Sequence, residues 1–163
     1  METIFIRKIR EIIQNKKNLE KFLRVQITLK DHFVSFEGNS LDEYEAALVF
    51  NAIGFGFSAA KALMLKNEEF SFRRVRIKEH SKRNLREIKS RVIGTKGKTR
   101  RTMSDISGCE IIIKESEIGI LGYTEDVESV EQAIINVIKG SKQGNMYQYL
   151  QKMNQLKKKY ADD

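Results

Sequence analysis

The chain of 163 residues has room for one domain of ordinary size or two small ones, each with a real core. Apolar residues at 40% and charged residues at 32% describe a soluble globular protein, and no apolar run approaches the roughly 20 residues that span a membrane. The start, METIFIRKIR, has no signal-peptide pattern, and the single Cys109 excludes an internal disulfide and any multi-cysteine zinc site, which suits a reducing, cytoplasmic setting.

In chain order, Thr3 to Ile6 is a candidate strand. Ile9, Ile12, Ile13, Lys16, Leu19 and Phe22 then recur at helical spacing. Sliding the sequence along itself by 84 positions exposes an ungapped internal repeat from this helix onward. Leu19 and Phe22 fall on Met103 and Ile106, and Ile27 and Leu29 on Ile111 and Ile113. Val34, Phe36 and Gly38 fall on Ile118, Ile120 and Gly122; Asp42, Ala46, Val49, Ile53 and Gly56 fall on Asp126, Val130, Ala133, Val137 and Gly140. Each half reads helix, strand, strand, long helix, with a strand needed in front, for which Phe72 to Lys78 is the second candidate. Residues 51–65, NAIGFGFSAAKALML, interrupt the first long helix at two glycines and restart it. Their aromatic side chains suit either a nucleotide-stacking platform or a core, and packing between the two copies is the expectation.

The second half opens on a basic run. From Arg73 to Arg101 there are 13 Lys/Arg against Glu79 and Glu87, whereas the remainder of the chain is net negative. Charge of this density is what counterion release from a polyphosphate exploits, although any single member can equally be a solvated helix face. Within the run, Val92 and Ile93 close a short helix, and Gly94-Thr95-Lys96-Gly97 then forces a tight turn without Cβ atoms at either glycine. Lys98, Thr99, Arg100 and Arg101 begin another helix, whose N-terminal amides favour an anion and which buries Met103 and Ile106. Ser107-Gly108 ends it, and Cys109 to Ile113 is a β-branched strand. A phosphate-binding P-loop is excluded, because Val92 stands where its first glycine belongs.

Further on, Thr124 is expected to cap a helix whose first turns carry Glu125, Asp126, Glu128 and Glu131. With His32 and His80 standing alone, no catalytic or metal-ligating constellation accompanies these acids, so no enzyme activity, cofactor or metal is expected. Gly140 and Gly144 break the chain before an amphipathic helix, Asn145 to Tyr160, with Met146, Tyr149, Leu150, Met153 and Leu156 on one stripe and Lys157 to Lys159 at its C-terminal dipole.

Helix, GxxG, helix, a glycine eleven residues after the second motif glycine and an isoleucine-rich strand together resemble the KH (K-homology) RNA-binding domain. The fold expected is α+β: two tandem type I KH-like domains, each a three-stranded sheet with packed helices, at residues 1–70 and 71–163, plus a C-terminal helix. The first is expected to be degenerate, since Arg10-Glu11-Ile12-Ile13 stands where GxxG should be. GTKGKTRR, GILGY and GSKQGNMYQYLQK followed by LKKKY resemble more narrowly the partner-of-Nob-one family of archaeal and eukaryotic ribosome-assembly factors, as does the glycine-phenylalanine-serine segment after the first copy. Two features depart from that family: the missing first GxxG, and Gln143 where many members have histidine.

The resemblance implies a non-catalytic protein that binds a single-stranded region of small-subunit pre-rRNA near its 3′ end, and that assists the 3′-end-processing nuclease within the assembling small subunit. In that role Gly94, Thr95, Lys96 and Gly97 would hold the backbone of about four nucleotides. Lys96, Lys98, Arg100 and Arg101 would neutralise phosphates beside Thr99, over a groove floored by Ile93, Met103, Ile106 and Ile111. Arg100 stands where KH domains commonly carry an apolar residue. The alternative is a KH adaptor acting mainly through protein contacts.

Overall fold

The computed structural model describes residues 1–161; the last two residues of the expected second domain lie outside the described residues. The chain divides into two compact units, Met1–Phe70 and Ser71–Asp163. In the first, strand β1 (Glu2–Phe5) leads to helix α1 (Arg10–Leu23), strands β2 (Gln26–Lys30) and β3 (Phe33–Glu37), helix α2 (Ser40–Phe55) and the short helix α3 (Ala59–Ala62). In the second, β4 (Phe70–Arg76) is followed by α4 (Leu85–Ile93), α5 (Lys98–Ser107), β5 (Glu110–Lys114), β6 (Glu117–Tyr123), α6 (Thr124–Ile138) and α7 (Gln143–Ala161). The architecture is α+β, with two three-stranded sheets ordered β1-β3-β2 and β4-β6-β5, in which β1–β3, β2–β3 and β5–β6 pair antiparallel.

The 84-residue register recurs in the hydrogen-bonded pairing. Ile27 faces Phe36 across the first sheet, and Ile111 faces Ile120 across the second. These four side chains are all buried, because alternate residues of a strand point to one face and here that face meets helices. The glycines at the end of the third strand of each unit share a steric reason. A Cβ on Gly38 would stand 2.9 Å from Arg24 O and 3.0 Å from Val25 Cγ1; one on Gly122 would stand 2.8 Å from Cys109 Sγ. Val25 and Cys109 are themselves 84 apart, so each glycine admits the last residue of the helix-to-strand connection. The longer helices stop alike, at Gly56 (φ 137°) and just after Lys139 at Gly140 (φ 114°).

The units differ ahead of this shared part. Ile6 donates to His32 O at 2.8 Å and Ile77 donates to Ser116 O at 3.0 Å. The acceptors are 84 apart but the donors only 71, so the first unit has thirteen fewer residues between strand and helix. It has no counterpart of α4 at all. The stripe on α1 is also narrower than its sequence suggests: Ile12, Leu19 and Leu23 are buried, whereas Ile13 and Phe22 are more than half exposed.

α2 buries Ala46, Val49, Phe50, Ala52, Ile53 and Phe55 from its middle and C-terminal turns, with Phe50 against Phe36 at 5.0 Å between ring centroids. Phe55 and Phe57 lie 6.1 Å apart and are each 3% exposed, which removes the stacking-platform reading of this segment. In the second unit, Val75, Ile88, Val92, Met103, Ile118, Ile120 and Ile134 form one core, and Met146 and Leu150 seat α7 on it. Gly144 lies inside α7 and does not break it. Lys157 Nζ bonds Asp126 Oδ2 at 2.8 Å and lies 4.9 Å from the Tyr123 ring centroid, so it clips α7 to the start of α6 instead of serving its own helix end. Its pKa is raised, chiefly by that bond. Tyr123 occupies the N-cap position of α6, and Thr124, expected there, is the first helical residue, its hydroxyl meeting that of Ser71.

Burial pushes the Cys109 thiol pKa up to about 11. The folded chain therefore holds a proton that the unfolded chain releases near pH 9, and stability from this group is complete below pH 9 and lost as pH rises toward 11. Gly122→Ala should destabilise the fold by about 1–3 kcal/mol through overpacking against Cys109. In the Cys109→Ala background the same change should cost measurably less, and a double-mutant cycle by urea denaturation reads the difference.

Candidate nucleic-acid interface

The candidate interface is built from the end of α4, the turn Gly94–Gly97 and the start of α5. Asn84 caps α4 by accepting from the amides of Arg86 (2.9 Å) and Glu87 (3.3 Å), and Ile88 and Val92 anchor it in the core. At its far end Gly94 N–H closes on Ser90 O at 2.8 Å.

The two motif glycines do different work. Gly94 adopts φ 78°, ψ 172°, a region essentially confined to glycine, and a Cβ there would lie 2.1 Å from Thr99 Oγ1 and 2.6 Å from Thr99 N. Gly94 is therefore the packing glycine, pressed against Thr99, which is 5% exposed. Gly97 adopts φ 76°, ψ 13°, and nothing lies within 4 Å of a Cβ built on it. Its surface is open to an approaching ligand. Lys96, between them, also takes a left-handed conformation (φ 54°, ψ 29°), which directs the turn outward.

α5 starts at Lys98 with no side-chain cap; Lys98 N–H donates to Thr95 O within the turn, and the positive end of the helix dipole faces the turn. Lys96, Lys98, Arg101 and Thr95 are exposed, Gly94 and Gly97 less so. Arg100 is only partly exposed; its Nη1 donates to Ile111 O at 3.5 Å, from α5 across to β5. The expected groove floor divides in two. Met103 (0% exposed) and Ile111 (2%) support it from the core without offering surface, whereas Ile93 and Ile106 remain partly exposed.

The basic run is less available than its count suggests. Arg73 pairs with Glu128 at 3.3 Å and Glu131 at 3.2 Å, and Arg76 with Glu79 at 3.5 Å and Glu117 at 3.4 Å. Arg91 donates to Ser141 O at 2.8 Å, tying α4 to the segment before α7. That tie and an open cleft of about 440 Å³, bordered by Thr95 and Lys98 on one side and Gln143 and Tyr147 on the other, were not foreseen from the sequence. Their only sequence signal is the apolar stripe that docks α7.

In the first unit the corresponding place is filled. Arg10 to Ile13 begin the uninterrupted α1, Ile12 is fully buried, and Glu11 Oε1 accepts from Ala59 N at 2.7 Å. Among the described residues, no group of His, Cys, Asp and Glu could hold a metal ion, and no helix is long and apolar enough to cross a membrane.

A β-α-α-β-β-α unit with this sheet order and a glycine turn between its first two helices is a type I KH domain. Residues 69–155 match the model of the second KH domain of PNO1, described as a eukaryotic-type KH domain of type I. The chain belongs to the PNO1/Dim2 family of KH-domain proteins. It is 28% identical over 148 residues to a KH domain-containing protein of Methanocaldococcus jannaschii, covering 86% of this chain and 65% of that one. It is 25% identical to the pre-rRNA-processing protein pno1 of Emericella nidulans, covering 80% and 55%. The chain thus spans between half and two thirds of the length of these curated relatives. Its fold superposes with a TM-score of 0.82, at 28% identity, on a chain of the a/eIF2alpha-aDim2p-rRNA complex from Pyrococcus horikoshii, covering 94% of this chain and 93% of that one.

The glycine geometry is directly testable. Gly97→Asp should keep helical circular dichroism and cost only about 1–2 kcal/mol for a left-handed non-glycine residue. Gly94→Ala should lower the melting temperature far more, because Thr99 leaves no place for the methyl group.

Proposed function

We propose that this protein is a non-catalytic single-stranded RNA-binding factor of small-ribosomal-subunit assembly. In this reading it binds pre-rRNA near the 3′ end and assists its maturation beside the nuclease that trims that end. The observation that carries the reading is the open Gly97 surface flanked by exposed Lys96, Lys98 and Arg101 at the uncapped start of α5. A backbone bare of Cβ atoms lets sugar and phosphate approach, and the flanking cations release counterions. RNA affinity would come from Gly94 to Arg101, with bases lying along Ile93 and Ile106 and the buried Met103 and Ile111 fixing the groove beneath. Membership of the family supports the reading, as does a relative solved with rRNA.

The first unit is, in this reading, a degenerate KH domain that scaffolds and does not clamp. Glu11 and Ile12, at the place of a GxxG turn, are committed to the fold of their own unit. That the same relative was solved with a/eIF2alpha as well as rRNA favours a second use, protein docking by an adaptor. Salt separates the two, since phosphate contacts weaken steeply with ionic strength and an apolar protein interface changes little.

Gly97→Asp should abolish binding of a short single-stranded RNA in a fluorescence-anisotropy titration. Unchanged affinity in a folded mutant would sink the clamp. Lys96→Ala with Lys98→Ala should weaken binding to all sequences alike and reduce the salt slope by about 1.4.

Lys16 and Lys17 stand 84 residues before Arg100 and Arg101, beside the equivalent helix. Alanine at the first pair should change RNA affinity only a few-fold, whereas alanine at the second pair should cost much more. Equal losses would mean that the first unit also holds RNA.

A further inference from the structure

Arg100 differs from its basic neighbours in ways that bear on what the groove selects. Lys96, Lys98 and Arg101 are exposed; Arg100 is partly covered, and its guanidinium is turned from the outer face of α5 toward β5. β5 is an edge strand, since the sheet order is β4-β6-β5. An edge strand leaves backbone N–H and C=O groups without strand partners, and such groups are available to hydrogen-bond a base laid beside them. At Ile111 the carbonyl is approached by Arg100 Nη1, at 3.5 Å.

That single contact changes the chemistry of the wall. A guanidinium carries five N–H donors, no acceptor and a permanent charge. By standing against the Ile111 carbonyl it competes for that acceptor, and its remaining N–H groups add donors at the same place. A base offering two adjacent acceptors is matched by such a wall, as guanine is through O6 and N7. Adenine, with an amino group beside N7, would bring a donor to a place where Arg100 competes for the acceptor.

We propose that Arg100 is a specificity-determining residue that selects guanine at one nucleotide of the bound strand, and not a phosphate anchor like its neighbours. The proposal rests on the single-stranded RNA reading of this site.

The test uses the full chain and a set of short single-stranded RNAs in which guanine is replaced by adenine one position at a time. Wild type should bind the guanine form about tenfold or more tightly at one position, in the range of a good bidentate arginine contact. Arg100→Lys keeps the charge but not the planar fork, and Arg100→Leu removes both. Both should lose the preference at that position while leaving the salt slope within error of wild type. A uniform loss across sequences with Arg100→Leu, with a slope lower by about 0.7 and restored by Arg100→Lys, would make Arg100 a phosphate contact and overturn the proposal. So would unchanged affinity, preference and slope in both folded variants, which would leave only a tie between α5 and β5, or a wild type without a guanine preference at any position. Absence of RNA binding by wild type itself would instead remove the reading of the site on which the proposal stands.

Discussion

The contact on which the site depends is the approach of Gly94 to Thr99. A backbone carbon sits where no Cβ fits, which draws the end of α4 against the start of α5 and leaves the intervening residues no route except outward. The left-handed Lys96, the open face of Gly97 and the start of α5 lie between the two ends that this contact holds together. The core sets the angle between the helices through Val92 and Met103, both fully buried, one on each side of the turn. The turn is thus held from beneath and offered from above.

The first unit shows what happens when that contact is absent. With thirteen fewer residues between strand and helix, there is neither an α4 nor a glycine turn, and α1 runs straight through the equivalent place. The rest of the unit keeps its register because sheet pairing and the glycine at the end of the third strand do not involve the turn. Glu11 then takes up local work, accepting the backbone N–H of Ala59 at the start of α3. At this place the first unit has an internal hydrogen bond and a buried isoleucine.

The strands, the long helices and the glycine turn were legible in the sequence because each rests on local periodicity or on a residue type that its conformation requires. Val34 with Ile118, and Phe36 with Ile120, alternate toward a core, and an ungapped comparison finds them. The same comparison is blind to the missing helix, since the shorter spacing ahead of Arg10 shifts only β1, whose four residues carry little pattern. Burial depth was not legible either. Met103, Ile106 and Ile111 are alike as apolar residues, yet which of them surfaces depends on the angle between α5 and β5, set by packing far away in sequence. The basic run misled for a related reason: Glu117, Glu128 and Glu131, which claim Arg73 and Arg76, come more than forty residues later.

Charge and geometry therefore have to be weighed residue by residue. Exposed ion pairs such as those of Arg73 and Arg76 stabilise the fold by at most about 1 kcal/mol, so their presence is poor grounds for calling those arginines structural in an energetic sense. What they do is lower the local field, since each pair brings a carboxylate close to a cation that a phosphate would otherwise meet. Among the described residues, Lys96, Lys98 and Arg101 around the turn carry no such carboxylate, and they lie within a few residues of the open glycine. Attraction of a polyanion and a surface bare enough to admit its backbone then coincide at the turn, while Arg73 and Arg76 are held by carboxylates elsewhere in the unit.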